Sequence, residues 1–229
     1  GKQTGEMLQG IEKVIIKESP DLILIYGDTN STLAGALSGA KCNIPVAHVE
    51  AGLRSYNLKM PEEINRILAD RISTYLFCPT ETAVKNLSRE GFENFRYEGF
   101  KFIKPKVIFS GDVMFDAFLL CKKLLMPSKE IERLTEDIGD FYLATVHRAE
   151  NTDQKNNLTN IIEALDEISK DTQVIFPIHP RTRQKLIEYS IVPGKLKLID
   201  PLGYFDMLFL LERCKGVFTD SGGLQKEAY

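Results

Sequence analysis

Apolar positions along the chain alternate between two spacings. Met7, Leu8, Ile11, Val14 and Ile15 recur every three or four residues, which predicts an amphipathic helix over residues 4–18, stopped by Pro20. Residues 22–26 (LILIY) and 44–49 (IPVAHV) are apolar runs too short for helices and rich in branched side chains. Both read as buried parallel strands, joined by a helix-patterned crossover over 31–41. Next come helix 62–72, strand 74–78, helix 81–90 ended by Gly91, a polar and aromatic loop over 92–104, strand 107–109 and helix 115–125. Residues 126–140 turn charged and carry Pro127 and Gly139, which reads as a connection between two lobes. The second lobe predicts strand 141–146, helix 157–170, strand 173–178, helix 181–189, strand 196–199, helix 204–213, strand 216–219 and a last helix after Asp220-Ser221-Gly222-Gly223. Such alternation predicts an α/β protein whose parallel sheets carry helices on both faces. The expected domains are an N-terminal Rossmann-like one over 1–113, a connecting helix and linker over 114–140, and a C-terminal one over 141–229.

Composition narrows the class without adding chemistry. The 229 residues are 43% hydrophobic and 27% charged with a net charge of -3, ordinary for a globular protein and without the basic excess of a nucleic-acid binder. Cys42, Cys78, Cys121 and Cys214 form no CxxC or Cys/His spacing, so neither a zinc site nor a disulfide framework is expected, and reduced cytoplasmic thiols fit. The apolar runs fall short of the roughly 18 residues a membrane span needs, and no signal peptide opens the chain. The expectation is a cytoplasmic protein without membrane or nucleic-acid partners.

Candidate chemistry gathers where strands end. Asp28 follows the first strand and Glu50 closes the second, the carboxyl-end position where open α/β sheets place ligands. Glu62 and Glu63 stand just behind Pro61 in the first turn of the next helix. Each acid has an ordinary alternative: Asp28 as a turn or cap residue, the glutamates as partners of the helix dipole. Their coincidence, with Gly27 and Gly52 beside them, points instead to carboxylates sharing a cleft and moving protons. In the second lobe His147-Arg148 and His179 with Arg181 each follow a strand, which sets cationic donors where phosphate oxygens would lie. The Thr219 to Gly223 turn offers backbone N–H groups, a helix start and the Ser221 hydroxyl to an anion, or is simply a capped helix. Glu227, four residues after Gly223, could accept ribose hydroxyls or face solvent. Acids in one lobe and an anion nest in the other suit a nucleotide sugar.

The segments IYGDTNSTLAG, HVEAGLRS, MPEEINR, SGDVMFDA, TVHRAEN and FTDSGGLQKEA, in this order, closely resemble the non-hydrolysing UDP-N-acetylglucosamine 2-epimerase family over nearly the whole chain. The resemblance implies two Rossmann-like doubly wound parallel-sheet domains facing each other across a cleft, a GT-B-like arrangement. It also implies inversion at C2 of a UDP-linked 2-acetamido sugar by elimination and re-addition of UDP, with neither metal nor other cofactor. Carried over by motif, Asp28, Glu50, Glu62 and His147 are the catalytic residues. Arg54, Arg148, His179, Ser221, Gly222, Gly223 and Glu227 are the substrate-binding ones, with Ser221 and Gly222 on the diphosphate and Glu227 on the ribose. A homodimer is the implied assembly.

The family's opening strand and phosphate-reaching loop have no counterpart here, nor does whatever follows the SGG helix. The expectation is an internal piece of a longer protein, inactive by itself. Ala149 stands where many members have Arg, and HRAENTD with RSYNLKMPEE resembles the branch acting on UDP-2,3-diacetamido-glucuronate for surface polysaccharides. That substrate is the first alternative. A GT-B glycosyltransferase, a hydrolysing epimerase and a non-catalytic nucleotide-sugar sensor are the others.

Overall fold

A computed structural model describes residues 1–92 and 105–228, so nearly all of the loop expected over 92–104 lies outside the described residues. The chain divides into two compact units, Gly1–Val113 and Met114–Tyr229.

In the first unit, α1 (Lys2–Glu18) leads into β1 (Ile23–Tyr26), α2 (Asn30–Lys41), β2 (Val46–Val49), α3 (Pro61–Ile72), β3 (Tyr75–Cys78), α4 (Glu81–Arg89) and β4 (Lys106–Phe109). The four strands are parallel and ordered as in the chain, β1-β2-β3-β4, with Ile25 beside His48, His48 beside Leu76 and Leu76 beside Val107. Because every crossover steps in the same direction and is right-handed, its helices land on one face. Ile25 and Val46 accordingly pack with Ala36 and Ala69 of α2 and α3, and Leu76 and Cys78 pack with Ala83 and Leu87 of α4. Helix α2 sits close because it is built of small residues: a Cβ on Gly39 would come within 2.6 Å of Val46 Cγ2. Leu24 and Tyr26 alternate onto the opposite face and are 47% and 60% exposed.

The second unit contains α5 (Val113–Lys123, begun on the last residue of the first unit), α6 (Lys129–Ile138), β5 (Phe141–Thr145), α7 (Ala149–Thr152), α8 (Lys155–Ile168) and β6 (Gln173–Pro177). It continues through α9 (Pro180–Tyr189), β7 (Lys197–Ile199), α10 (Tyr204–Arg213), β8 (Val217–Thr219) and α11 (Gly222–Ala228). Its sheet is parallel in the order β7-β6-β5-β8, so the winding reverses between β5 and β8 and helices cover both faces. One face packs Ala144, Val174 and Phe176 against Leu158, Ile162 and Leu186; the other packs Phe141, Leu143 and Ile175 against Ile131, Phe209 and Leu210. The stretch read as a mere connection, 126–140, contains α6, and this corrects the sequence reading. Ser128 caps it by accepting from the Ile131 N–H, and Ile131 drops into the core while the charged face stays outside. Helix α7, one turn after β5, was also not expected.

Candidate active site

In the first unit the reactive candidates ride on turns that leave β1 and β2. The Gly27 N–H donates to the Val49 carbonyl, extending the β1–β2 ladder one step past the strands, so Asp28 and Glu50 leave adjacent strand ends. The Asp28 turn is fixed on two sides. The Thr32 hydroxyl donates to the Tyr26 carbonyl at 2.5 Å and accepts from the Thr29 N–H at 3.1 Å, while Asn65 Nδ2 donates to the Asp28 carbonyl at 3.0 Å. The Asp28 carboxylate is 30% exposed and pairs with Arg66, whose guanidinium also holds Glu63. Glu50 adopts φ 72°, a left-handed conformation that costs a non-glycine residue energy and is found where surroundings impose it. Its carboxylate lies over Gly27, since a Cβ there would stand 3.7 Å from Glu50 Oε2.

Behind these turns lies a buried polar network. His48 of β2 is fully buried; its Nε2 donates to the Gly27 carbonyl at 2.7 Å and its Nδ1 lies 2.7 Å from Asp70 Oδ1. Asp70 of α3 also accepts from the Gly52 N–H at 3.0 Å and from Arg54 Nη1 at 2.7 Å. Arg54 also donates to Glu90, at 2.6 and 2.8 Å, and to the Leu53 carbonyl. With its side chain 1% exposed, Arg54 is turned inward. The buried Asp70 carboxylate must be neutralised, and the planar guanidinium fork reaches it and the half-buried Glu90 together.

Of the paired glutamates, Glu62 is exposed and Glu63 buried. Glu63 accepts the backbone N–H groups of Ser55 and Tyr56 at 3.0 Å each. Burial works against its charge, but those N–H groups and Arg66 prevail and hold its carboxyl below the ordinary glutamate value. Glu62 shares its side of α3 with Arg66, one turn on.

In the second unit the candidates collect at the reversal point. Asp220, just past β8, accepts from the backbone N–H groups of His147 and Arg148 at 3.0 and 2.9 Å and from Asn151 Nδ2 at 2.9 Å, and lies 3.2 Å from His147 Nδ1. Partial burial opposes its ionisation, yet Asn151 and the two N–H groups hold its carboxyl below the usual aspartate value. It is thus an ionised anchor for the turn carrying His147, whose side chain remains 40% exposed. His179 caps α9 by accepting from the Arg181 N–H and lies against His147, ring centroids 5.7 Å apart. Arg148 approaches the glycine turn, where a Cβ on Gly222 would meet its Nη2 at 3.8 Å. Gly222 and Gly223 are exposed, and Ser221 Oγ accepts from the Leu224 N–H at 3.4 Å. Glu227 accepts the Tyr204 hydroxyl at 3.0 Å, and burial together with this bond pushes the Tyr204 phenol up to about 12. A cavity of about 1330 Å³ beside β7, lined by Ile178, Arg183, Ile187 and Leu198, holds none of these candidates.

The strand ends therefore gather Asp28 and Glu50 in one unit, with Glu62 exposed in the first turn of α3, and His147, Arg148, His179, Ser221, Gly222 and Gly223 in the other. Sequence reasoning passed over His48, Arg66, Asp70 and Asp220. The first-unit signal was present: Glu63, Arg66 and Asp70 recur at core-facing spacing on a helix, where a polar residue needs partners. Among the described residues no group of histidine, cysteine, aspartate or glutamate could hold a metal ion, and no helix is long and apolar enough to cross a membrane.

Residues 1–229 match a family model described as UDP-N-acetylglucosamine 2-epimerase. A Methanococcus maripaludis protein named UDP-N-acetylglucosamine 2-epimerase homolog is 52% identical over the whole chain, and a Pseudomonas aeruginosa UDP-2,3-diacetamido-2,3-dideoxy-D-glucuronate 2-epimerase is 50% identical. The chain spans 62% and 61% of their lengths. A crystal structure of Methanocaldococcus jannaschii UDP-GlcNAc 2-epimerase in complex with UDP-GlcNAc and UDP superposes with a TM-score of 0.86 at 45% identity, over 100% of this chain and 62% of that one.

Proposed function

The chain belongs to the UDP-N-acetylglucosamine 2-epimerase family, and from that premise we propose that the protein containing it inverts C2 of a UDP-linked 2-acetamido sugar, with UDP-N-acetylglucosamine as substrate. One carboxylate takes the C2 proton while the C1–O bond to UDP breaks, leaving a C1=C2 double bond in the sugar and free UDP. The diphosphate oxygen then re-forms the bond to C1 as a proton is delivered to the opposite face of C2. The sum is an isomerisation that consumes nothing. Asp28, Glu50 and Glu62 serve the protons, and His147, held by Asp220, joins them as the fourth catalytic residue. Arg148, His179, Ser221, Gly222 and Gly223 bind the departing diphosphate, and Glu227 the ribose. The single observation behind this reading is that Asp28 and Glu50, both partly exposed, leave adjacent strand ends on turns held rigid from beneath. Electrostatic preorganisation of that kind is what proton transfer at carbon requires.

A second reading keeps the reaction and changes the sugar. The Pseudomonas relative acting on UDP-2,3-diacetamido-2,3-dideoxy-D-glucuronate is 50% identical, against 45% for the Methanocaldococcus jannaschii UDP-N-acetylglucosamine 2-epimerase. A cytoplasmic homodimer is the proposed form of the protein.

Proton NMR of the full-length protein with UDP-N-acetylglucosamine in deuterated water tests the reading. Deuterium at C2 together with UDP-N-acetylmannosamine is expected. Exchange only with UDP-2,3-diacetamido-glucuronate transfers the assignment to the second sugar, and release of free N-acetylmannosamine makes the protein a hydrolase instead.

A further inference from the structure

The fully buried His48–Asp70 pair is polar chemistry in the first unit that the proposed reaction does not use. A buried pair of polar side chains adds little net stability over a well-packed apolar substitute, because desolvation consumes most of the attraction. Its location is therefore informative. Asp70 reaches the backbone on both sides of Glu50: two residues before it through His48, and two residues after it through the Gly52 N–H. His48 in turn holds the carbonyl of Gly27, the residue before Asp28. One buried carboxylate thus ties both segments that bear the first two acids, and between its two points of attachment Glu50 is kept in a left-handed conformation. Gly52 is pressed onto α4 so closely that a Cβ would stand 2.5 Å from the Ala83 carbonyl oxygen, so the turn cannot relax in that direction. Arg54 compensates the charge of Asp70, and Glu90 extends the network outward by pairing with the far side of its guanidinium.

We propose that Asp70, acting through His48 and the Gly52 N–H, is a positioning residue for the acids that move the C2 proton, fixing Glu50 over Gly27 without touching substrate. The proposal rests on the epimerase reading. It is tested on the full-length protein by Asp70→Asn, which keeps the shape of the side chain and removes its charge. Turnover is expressed per UDP-binding site, with sites counted by UDP titration, and amide hydrogen exchange of β2 and α3 is followed alongside. The expected result is a fall on the order of 10²-fold in turnover per site, the usual cost of misplacing a reacting group by about 1 Å, with UDP affinity and hydrogen exchange as in the parent. Turnover per site equal to the parent's overturns the proposal. So does a fall accompanied by faster exchange throughout β2 and α3, which would make the pair a stabiliser only. Should Asp70→Asn fail to fold, His48→Gln is read in the same way, since its amide can still donate to Gly27 while the tie to Asp70 is lost. A parent protein that shows no C2 exchange refutes the epimerase reading itself, an outcome distinct from any of these.

Discussion

The two parallel sheets solve the same problem, holding polar side chains steady at strand ends, by different means. In the second unit the winding reverses between β5 and β8, and the crevice this creates is bridged by Asp220, which grips the His147 turn from the neighbouring strand. In the first unit the described strands run in sequence order with no reversal, and the turns are gripped from within by Asp70, sent up from α3. Asp220 holds the turn by its backbone and leaves the His147 side chain 40% exposed, which suits contact with a diphosphate. A buried anchor leaves almost no freedom, as proton transfer at carbon demands. The way each turn is anchored thus distinguishes the proposed binding end from the proposed reacting end.

Glycines sharpen the contrast most strongly. Gly52→Ala must place a Cβ against the Ala83 carbonyl at a φ of 78°, and is expected to cost about 3 kcal/mol, read as a lowered midpoint in denaturant unfolding. Gly222→Ala meets only Arg148, at 3.8 Å, and is expected to stay within about 0.5 kcal/mol. Equal costs would break the comparison between a buried turn and an exposed one.

The smaller effect concerns acid. The folded-state pKa of Asp220 lies below its unfolded value of about 3.9, so the stability it contributes is present above that pH and is lost as pH falls through the folded value. Replacing it with Asn should remove that part of the acid sensitivity, under about 1 kcal/mol for a partly exposed group, while leaving the neutral-pH fold intact. Unfolding midpoints between pH 5 and pH 2 for parent and Asp220→Asn measure it. Parallel curves would mean that Asp220 anchors nothing through its charge.

Much of this was legible in the chain. Strand and helix positions follow from apolar spacing because each run has a single period, and α10 is observed at the bounds the pattern predicts, residues 204–213. The acids and the glycine turn were visible because strand ends in parallel sheets are where ligand groups belong. Helix α6 was misread because its charges and the flanking Pro127 and Gly139 resemble a linker, while only a narrow face carrying Ile131 is apolar. The direction of Arg54 is not legible because a motif shows residue types and not directions: the side chain turns inward only in view of Asp70 and Glu90, 16 and 36 residues away in the chain. The His48–Asp70 pair was hidden for the same reason, a contact spanning 22 residues that leaves no mark at the level of local periodicity.

The most direct test of the account is the rate of C2 deuterium incorporation by Glu50→Gln in the full-length protein, measured against UDP-N-acetylglucosamine concentration. Loss of an acid–base group predicts a rate lowered on the order of 10³-fold at every substrate concentration, saturation included. Recovery of the parental rate at high substrate would make Glu50 a binding residue, and would contradict the assignment of the rigid first-unit turns to proton transfer.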